Sequence, residues 1–456
     1  MKTCSLVCQY FHARARIHLF SQICLCLGME EHCRRRARKF LSILKYKKNS
    51  DLISHCIRSV KILVYQFCRD CYRTEGPAPC CKYLLKLVGI DANPLEEVLA
   101  KFKNAPIKEL IIQGANDMPC EFPKLRVYGT VLLAMCSNPN LKNLRVEELR
   151  GFPFRFITGS SDGGGFTQLA LREVTISDYW CRIQPPTVVL TGIKTLELVQ
   201  MSSDQFLKVL HQLSPSPKSL RLPNLNNLVI SLPHWDFKER AKVWNVILGV
   251  AGTLESLELC LSAAHLYGGE VSPYFHLEKS ANMLIILSDP GTYDIRPLCL
   301  NPLKSLKRLK IVSIHNWRCA HVFRGELALM AIMLASSASP IHIRSIILET
   351  SFGRLPDRQA WLETPSFLNP DKWLIIDVIL VSPRFVDLRM VEVTVNGSPA
   401  SFKLGEGFPD LGEINFKDLL PTISHHSRMS LMTSATLGSR QQTAVYELYP
   451  IDRDII

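Results

Sequence analysis

The sequence predicts an α/β chain organised as an irregular repeat array, a solenoid. Two observations carry that prediction. A unit of three aliphatic residues, separated by two positions and then by one, recurs from residue 57 onward with polar residues between. Segments of helical periodicity lie between many of the copies. A strand, a helix and then a strand of the same pattern is the repeating unit of a solenoid.

The copies read "IRSVKI" at Ile57, "IKELII" at Ile107, "LKNLRV" at Leu141 and "LREVTI" at Leu171. They continue as "IKTLEL" at Ile193, "LNNLVI" at Leu225, "LESLEL" at Leu254 and "LKRLKI" at Leu306. "IRSIIL" at Ile343, "LRMVEV" at Leu388 and "LGEINF" at Leu411 complete them. Alternation of apolar and polar residues predicts half-buried strands. The copies start 22 to 52 residues apart. Leucine-rich repeats recur every 20–29 residues and carry Asn or Cys after the third aliphatic. Here that position holds Leu149, Met201, Pro233, Ser262 or Ile314. The expected fold is therefore an irregular, leucine-rich-repeat-like horseshoe over residues 51–456. An ordinary α/β domain whose strands share the pattern is the competing expectation.

Five helices are expected between the strands. "SSDQFLKVLHQL" has Ser203 or Asp204 as its cap and Phe206, Leu207, Leu210 and Leu213 as its apolar stripe. "DFKERAKVWNVILGVAG" starts near Asp236 and ends near Gly252, a candidate C-cap. Helices are also expected near 93–104, 321–337 and 371–380. In the last, Leu374 and Val378 are expected on the apolar face.

At 456 residues with 47% hydrophobic and 21% charged content, the chain has ample material for two or three cores or one elongated array. No apolar run approaches the ~18 residues that span a bilayer. "ELALMAIMLASSAS" reads as a buried helix, and no membrane partner is expected. "LFSQICLCLG" is preceded by too long a half-apolar stretch for a secretory signal. Sixteen cysteines show no repeating spacing, and Cys4, Cys8, Cys136 and Cys260 sit within apolar patterns. That usage fits a reducing, intracellular site, cytoplasmic, nuclear or both.

Charge is concentrated at one end. Residues 1–50 hold 11 of the 54 Lys and Arg but 2 of the 41 Asp and Glu. Within them, "HCRRRARKFLSIL" places Cys33, Ala37, Phe40, Leu41 and Leu44 on one helical face. Arg34, Arg35, Arg36, Arg38 and Lys39 fall largely on the other. A solvated basic face is the plainer expectation. A nuclear-localisation or nucleic-acid patch is the sharper one, although no aromatic residues interleave to stack on bases.

The stretch "KTCSLVCQYFHARARIHLFSQICL" at residues 2–25 resembles the second half of an F-box domain of the kind found in many fungal proteins. The shared features are the "CSLVC" helix, Phe11 three residues after its second Cys, a basic stretch, and "HLF" leading to "I-x-L". "DKWLIIDVILVSPRFVDLRMVEVTV" and "INFKDLLPTISHHSRM" resemble the closing repeats of the same chains. The resemblance implies a partial F-box-like helical region over residues 1–50. It further implies docking on a Skp-type adaptor of a cullin ubiquitin ligase, with a repeat body presenting a protein substrate. Leu6, Val7, Phe11, Leu19 and Phe20 match the family's adaptor-facing or core-facing positions. The family's opening helix, with its "LPxE" start, is absent from these residues. Either the gene's first helix is missing from this sequence, or the remnant packs on the repeat body and adaptor binding is lost.

Catalytic patterns fail on context. "GSSDG" at Gly159–Gly163 has nucleophile-elbow spacing, but the residues after it read as a strand where a helix is required. The same stretch has Gly165 where a phosphate loop needs Lys. Cys68 and Cys71, with Cys80 and Cys81, form the one metal-like cluster, a weak candidate because adjacent cysteines are poor joint ligands. No cofactor is expected, and the function read from sequence is a non-enzymatic interaction scaffold.

Overall fold

A computed structural model describes residues 20–27, 31–45, 53, 55–64, 94–102, 105–114, 120–121, 129–158, 166–177, 192–202, 204–206, 208–209, 222–232, 243–245, 247–262, 300–315, 334–335, 340–352, 370–397, 420–426, 428–437 and 440–446. They belong to two units, Met1–Asn227 and Leu228–Ile456. Both are α/β.

In the first unit the chain runs β1 (Gln22–Leu27), α1 (Glu31–Lys45), β2 (Ser59–Val64), α2 (Pro94–Phe102), β3 (Glu109–Gly114), β4 (Cys120–Glu121) and α3 (Gly129–Cys136). It continues through β5 (Asn143–Glu147), β6 (Leu149–Arg150), β7 (Phe152–Pro153), α4 (Arg155–Thr158), β8 (Gln168–Arg172), β9 (Ile176–Ser177) and β10 (Thr195–Val199). The order β1-β2-β3-β5-β8-β10 makes an open sheet, parallel throughout. Two small parallel pairs, β4 with β6 and β7 with β9, lie beyond its strand ends.

One hydrogen-bond motif repeats at each step. The carbonyl of the residue two before each strand's second position, the first polar residue of the repeat, accepts two backbone N–H groups from the next repeat. Ser21 receives Arg58 and Ser59, Arg58 receives Lys108 and Glu109, and Lys108 receives Lys142 and Asn143. Lys142 receives Thr167 and Gln168, Thr167 receives Lys194 and Thr195, and Lys194 receives Asn226 and Asn227. The triplets therefore hold one register. Their aliphatics are buried, as at Val60, Ile62, Leu110, Ile112, Leu144, Val146, Leu196 and Leu198. The helices after consecutive strands pack side by side, α1 on α2 and α2 on α3. Phe40 of α1 meets Phe102 of α2 edge to face at 6.0 Å, and Lys45 pairs with Glu97 at 2.9 Å.

Two expectations are corrected here. Residues 22–27 form a strand where a helical remnant was expected. Ile23 and Leu25 are buried while Cys24 is exposed, which is the period of a strand. The fourth repeat begins at Phe166, not Leu171. Phe166, Leu169 and Leu171 are the buried triplet, and Val174 and Ile176 belong to the turn and β9.

Left-handed backbone ends three neighbouring strands. Glu148, Glu173 and Gln200 have φ of 56°, 52° and 55° at the same repeat position, a conformation that costs a non-glycine residue about 1 kcal/mol. Gly114 occupies this position in the preceding repeat, and a Cβ there would lie 2.5 Å from the Glu148 carbonyl oxygen. Gly114→Ala is expected to destabilise the unit by about 1–3 kcal/mol in a denaturant titration.

In the second unit the strands are β11 (Asn227–Leu232), β12 (Ser256–Ser262), β13 (Arg308–His315), β14 (Ser345–Phe352), β15 (Met390–Gly397), β16 (Ser430–Leu437) and β17 (Arg440–Tyr446). Their sequential order is also their spatial order. β12 to β16 pair in parallel and β17 returns antiparallel on β16. The two-amide motif recurs at Glu255, Lys307 and Arg344. Helices α5 (Pro370–Leu380) and α6 (Pro421–Ser424) pack together.

Leu374 and Val378 were expected on the buried face of α5. They are 47% and 56% exposed, and Trp373, Ile376, Asp377 and Leu380 are buried instead. The helix is apolar on most sides, so periodicity does not choose a face. The larger Trp373 and the bonding needs of Asp377 do. Both carboxylate oxygens of Asp377 accept backbone N–H bonds from the start of α6, from Thr422 at 2.8 Å and Ile423 at 2.9 Å.

In the stretch around residue 206, the Ser202 hydroxyl accepts from the Gln205 N–H at 3.4 Å, and Ser203, one of the two expected caps, lies outside the described residues. Phe206 and Val209 are its buried residues. Leu207, Leu210, Leu213 and "LGEINF" lie outside the described residues. Ahead of the triplet at Leu141, the Asn138 side-chain amide donates to the Ala105 carbonyl of the previous repeat at 2.8 Å.

Candidate functional site

Alternation leaves one face of each sheet polar, and sheet register decides which side chains meet on it. In β5, β8 and β10 of the first unit, Arg145, Glu147, Arg172 and Glu197 project on that face. Arg145 pairs with Glu147, and Arg172 pairs with Glu197 and sits 3.9 Å from Glu147. Beside them Ser59 donates to Glu109 at 2.6 Å. This row is charge-neutral and internally bonded, so it orders the face without presenting a net charge.

A second row crosses four strands of the second unit. Lys310 reaches Glu349 at 2.8 Å and Glu258 at 3.3 Å, and Asn396 donates to Glu349 at 2.7 Å. Next to the row Cys260, Val312 and Ile347 are buried, so this part of the sheet is covered on both faces. Burial pulls the Lys310 ammonium pKa down. The hydrogen bond to Glu349 and the charges of Glu258 and Glu349 outweigh it, so the ammonium is held above the usual 10.5. A raised folded-state pKa stabilises the fold below the unfolded pKa and stops doing so as pH rises through the folded one. Thermal stability is expected to fall on titration upward from about pH 10.5, and Lys310→Met is expected to abolish that component. Melting curves across this range check it.

The residues expected from sequence fall as follows. Phe20 sits just ahead of β1, partly buried. Leu6, Val7, Phe11 and Leu19 lie outside the described residues, as do Cys68, Cys71, Cys80, Cys81 and "GSSDG". On α1, Ala37, Leu41 and Leu44 are buried, and Arg35, Arg38 and Lys39 are exposed. Arg34 and Arg36 belong to α1, but their side chains are outside the described set. Among the described residues no group of three His, Cys, Asp or Glu is placed to hold a metal. Burial pushes the Cys136 thiol up to about 12, which keeps it protonated and unreactive at neutral pH. No described helix is long and apolar enough to cross a membrane.

Comparison with known proteins adds no family. No family model matches the chain, and no curated protein matches it.

The polar rows were not legible as a site in the sequence. Their partners on neighbouring strands lie 25 to 52 positions apart, as Arg172 and Glu197 or Glu258 and Lys310 do. Parallel pairing brings them together. The usable signal was the polar residue between the aliphatics of each triplet.

Proposed function

We propose that the chain is a non-enzymatic protein-interaction scaffold, the substrate-recognition subunit of a Skp–cullin ubiquitin ligase. In this reading the strands form an irregular, leucine-rich-repeat-like horseshoe that presents a protein substrate. The residues ahead of it, Leu6, Val7, Phe11, Leu19 and Phe20, meet the adaptor. The protein works inside the cell, in cytoplasm, nucleus or both. The observation that supports it is the recurring two-amide hydrogen bond, which gives successive strands one register and a long ordered face. Repeat arrays use such faces to bind partners. The F-box-like stretch at residues 2–25 supplies the ligase link.

Mixing the full chain with a purified Skp-type adaptor tests the reading. Co-elution on size exclusion that is lost in Val7→Glu/Phe11→Glu supports it, and no complex with the unaltered chain refutes it. A second reading, a repeat-type binder that is nuclear or nucleic-acid-associated, is favoured by the exposed Arg35, Arg38 and Lys39 on α1. Salt-sensitive binding to nucleic acid that is lost on replacing those three would select it.

A further inference from the structure

The first polar position of each triplet lines up from strand to strand at the N-terminal rim of the sheet. In the first unit it holds Ser21, Arg58, Lys108, Lys142, Thr167 and Lys194 in six consecutive strands of the sheet. The register one residue later, Ser59 with Glu109, Glu109 with Asn143, Asn143 with Gln168 and Gln168 with Thr195, puts these residues side by side. Neighbouring strands lie about 4.8 Å apart. Arg58, Lys108, Lys142 and Lys194 are all exposed. Arg58 spends its guanidinium on the carbonyls of His55 and Ile57, while the three lysines make no ion pair among the described residues. The result is a single file of cations along the N-terminal rim of the sheet, fixed by backbone bonds.

A parallel file of hydrogen-bonding side chains runs beside it. Ser59, Asn143, Gln168, Thr195 and Asn227 occupy the next position, with Glu109, the one carboxylate in that file, held by Ser59. Asn227 donates to Thr195 at 3.3 Å. A line one residue wide fits an extended chain and not the two phosphate rows of a duplex. Neither file contains an aromatic residue on which bases would stack. Amides and hydroxyls beside the cations suit peptide groups.

We propose that the rim formed by Arg58, Lys108, Lys142 and Lys194 docks an extended, Asp/Glu-rich polypeptide segment. Its carboxylates meet the cations, and its backbone meets the Asn, Gln and Thr file. This stands on the geometry of the first unit and does not depend on a ligase link. The test is fluorescence anisotropy of the full chain with a labelled decapeptide of alternating Asp and Ser. The Asn-Ser decapeptide and a ten-nucleotide oligo-dT serve as competing probes. The acidic peptide is expected to bind in low salt, to weaken as salt rises, and to lose roughly tenfold affinity in Lys108→Ala/Lys142→Ala/Lys194→Ala. The Lys→Arg triple is expected to retain binding. All three side chains are exposed, so the melting temperature of the Ala triple should match the parent. Absence of acidic-peptide binding, binding indifferent to the triple, or tighter rim-dependent binding of oligo-dT would each overturn the proposal.

Discussion

Phe102→Ala is expected to destabilise the first unit by about 3–5 kcal/mol, the cost of removing a large, fully enclosed aromatic ring. Phe102 has no exposed surface, and with Val98 and Leu99 it forms the buried side of α2. Its ring also seats Phe40 and so ties α1 to α2. The loss should therefore travel. Hydrogen exchange should accelerate in α1 and α2 together, and the basic face carried by Arg35, Arg38 and Lys39 should lose its fixed support. Phe40→Ala, at a half-buried site, is expected to cost about 1 kcal/mol. Equal effects of the two substitutions would contradict this packing.

Asp377→Ala should cost the second unit about 2–3 kcal/mol. Hydrogen bonds to a charged group contribute more than neutral ones, and removal of the acceptor leaves the Ile423 N–H orphaned in a buried place and the Thr422 N–H unbonded in a half-buried one. Asp377→Asn keeps one oxygen and should lose about half as much. Trp373 lies one helical turn away on the same buried face, so its fluorescence during unfolding reports the event locally. An Asp377→Ala variant as stable as the parent would show that α6 is held by packing alone.

Much of the strand content was legible because buried aliphatics at fixed spacing are what a half-buried parallel strand requires. The template failed where another residue type filled the same place. Phe20 stands ahead of β1 and Phe166 ahead of β8 where the pattern requires an aliphatic, so the pattern misses the first strand and sets the fourth repeat five residues late. β16 escaped because Arg428 occupies the first position and Thr433, buried to 2% exposure, the third. The face of α5 was misjudged for a different reason. A helix with Leu374, Ile375, Ile376 and Val378 in one run carries no stripe, and a tertiary partner chooses its orientation. The candidate surfaces were half visible. The basic helix was read directly from its arginine run. The cationic rim was hidden, because its members are single residues in separate triplets until parallel pairing aligns them.

Among the described residues, successive triplets share one register from Gln22–Leu27 onward. Hydrogen exchange of the full chain, read by mass spectrometry, addresses it most directly. The two-amide motif predicts slow exchange at Arg58, Ser59, Lys108, Glu109, Lys142 and Asn143, and along β1 and β2 together. It also predicts that Ile23→Pro, which distorts β1, accelerates exchange in Ser59–Val64. Fast exchange across Gln22–Leu27 in the unaltered chain, or no response of Ser59–Val64 to Ile23→Pro, would contradict a shared register that includes this strand.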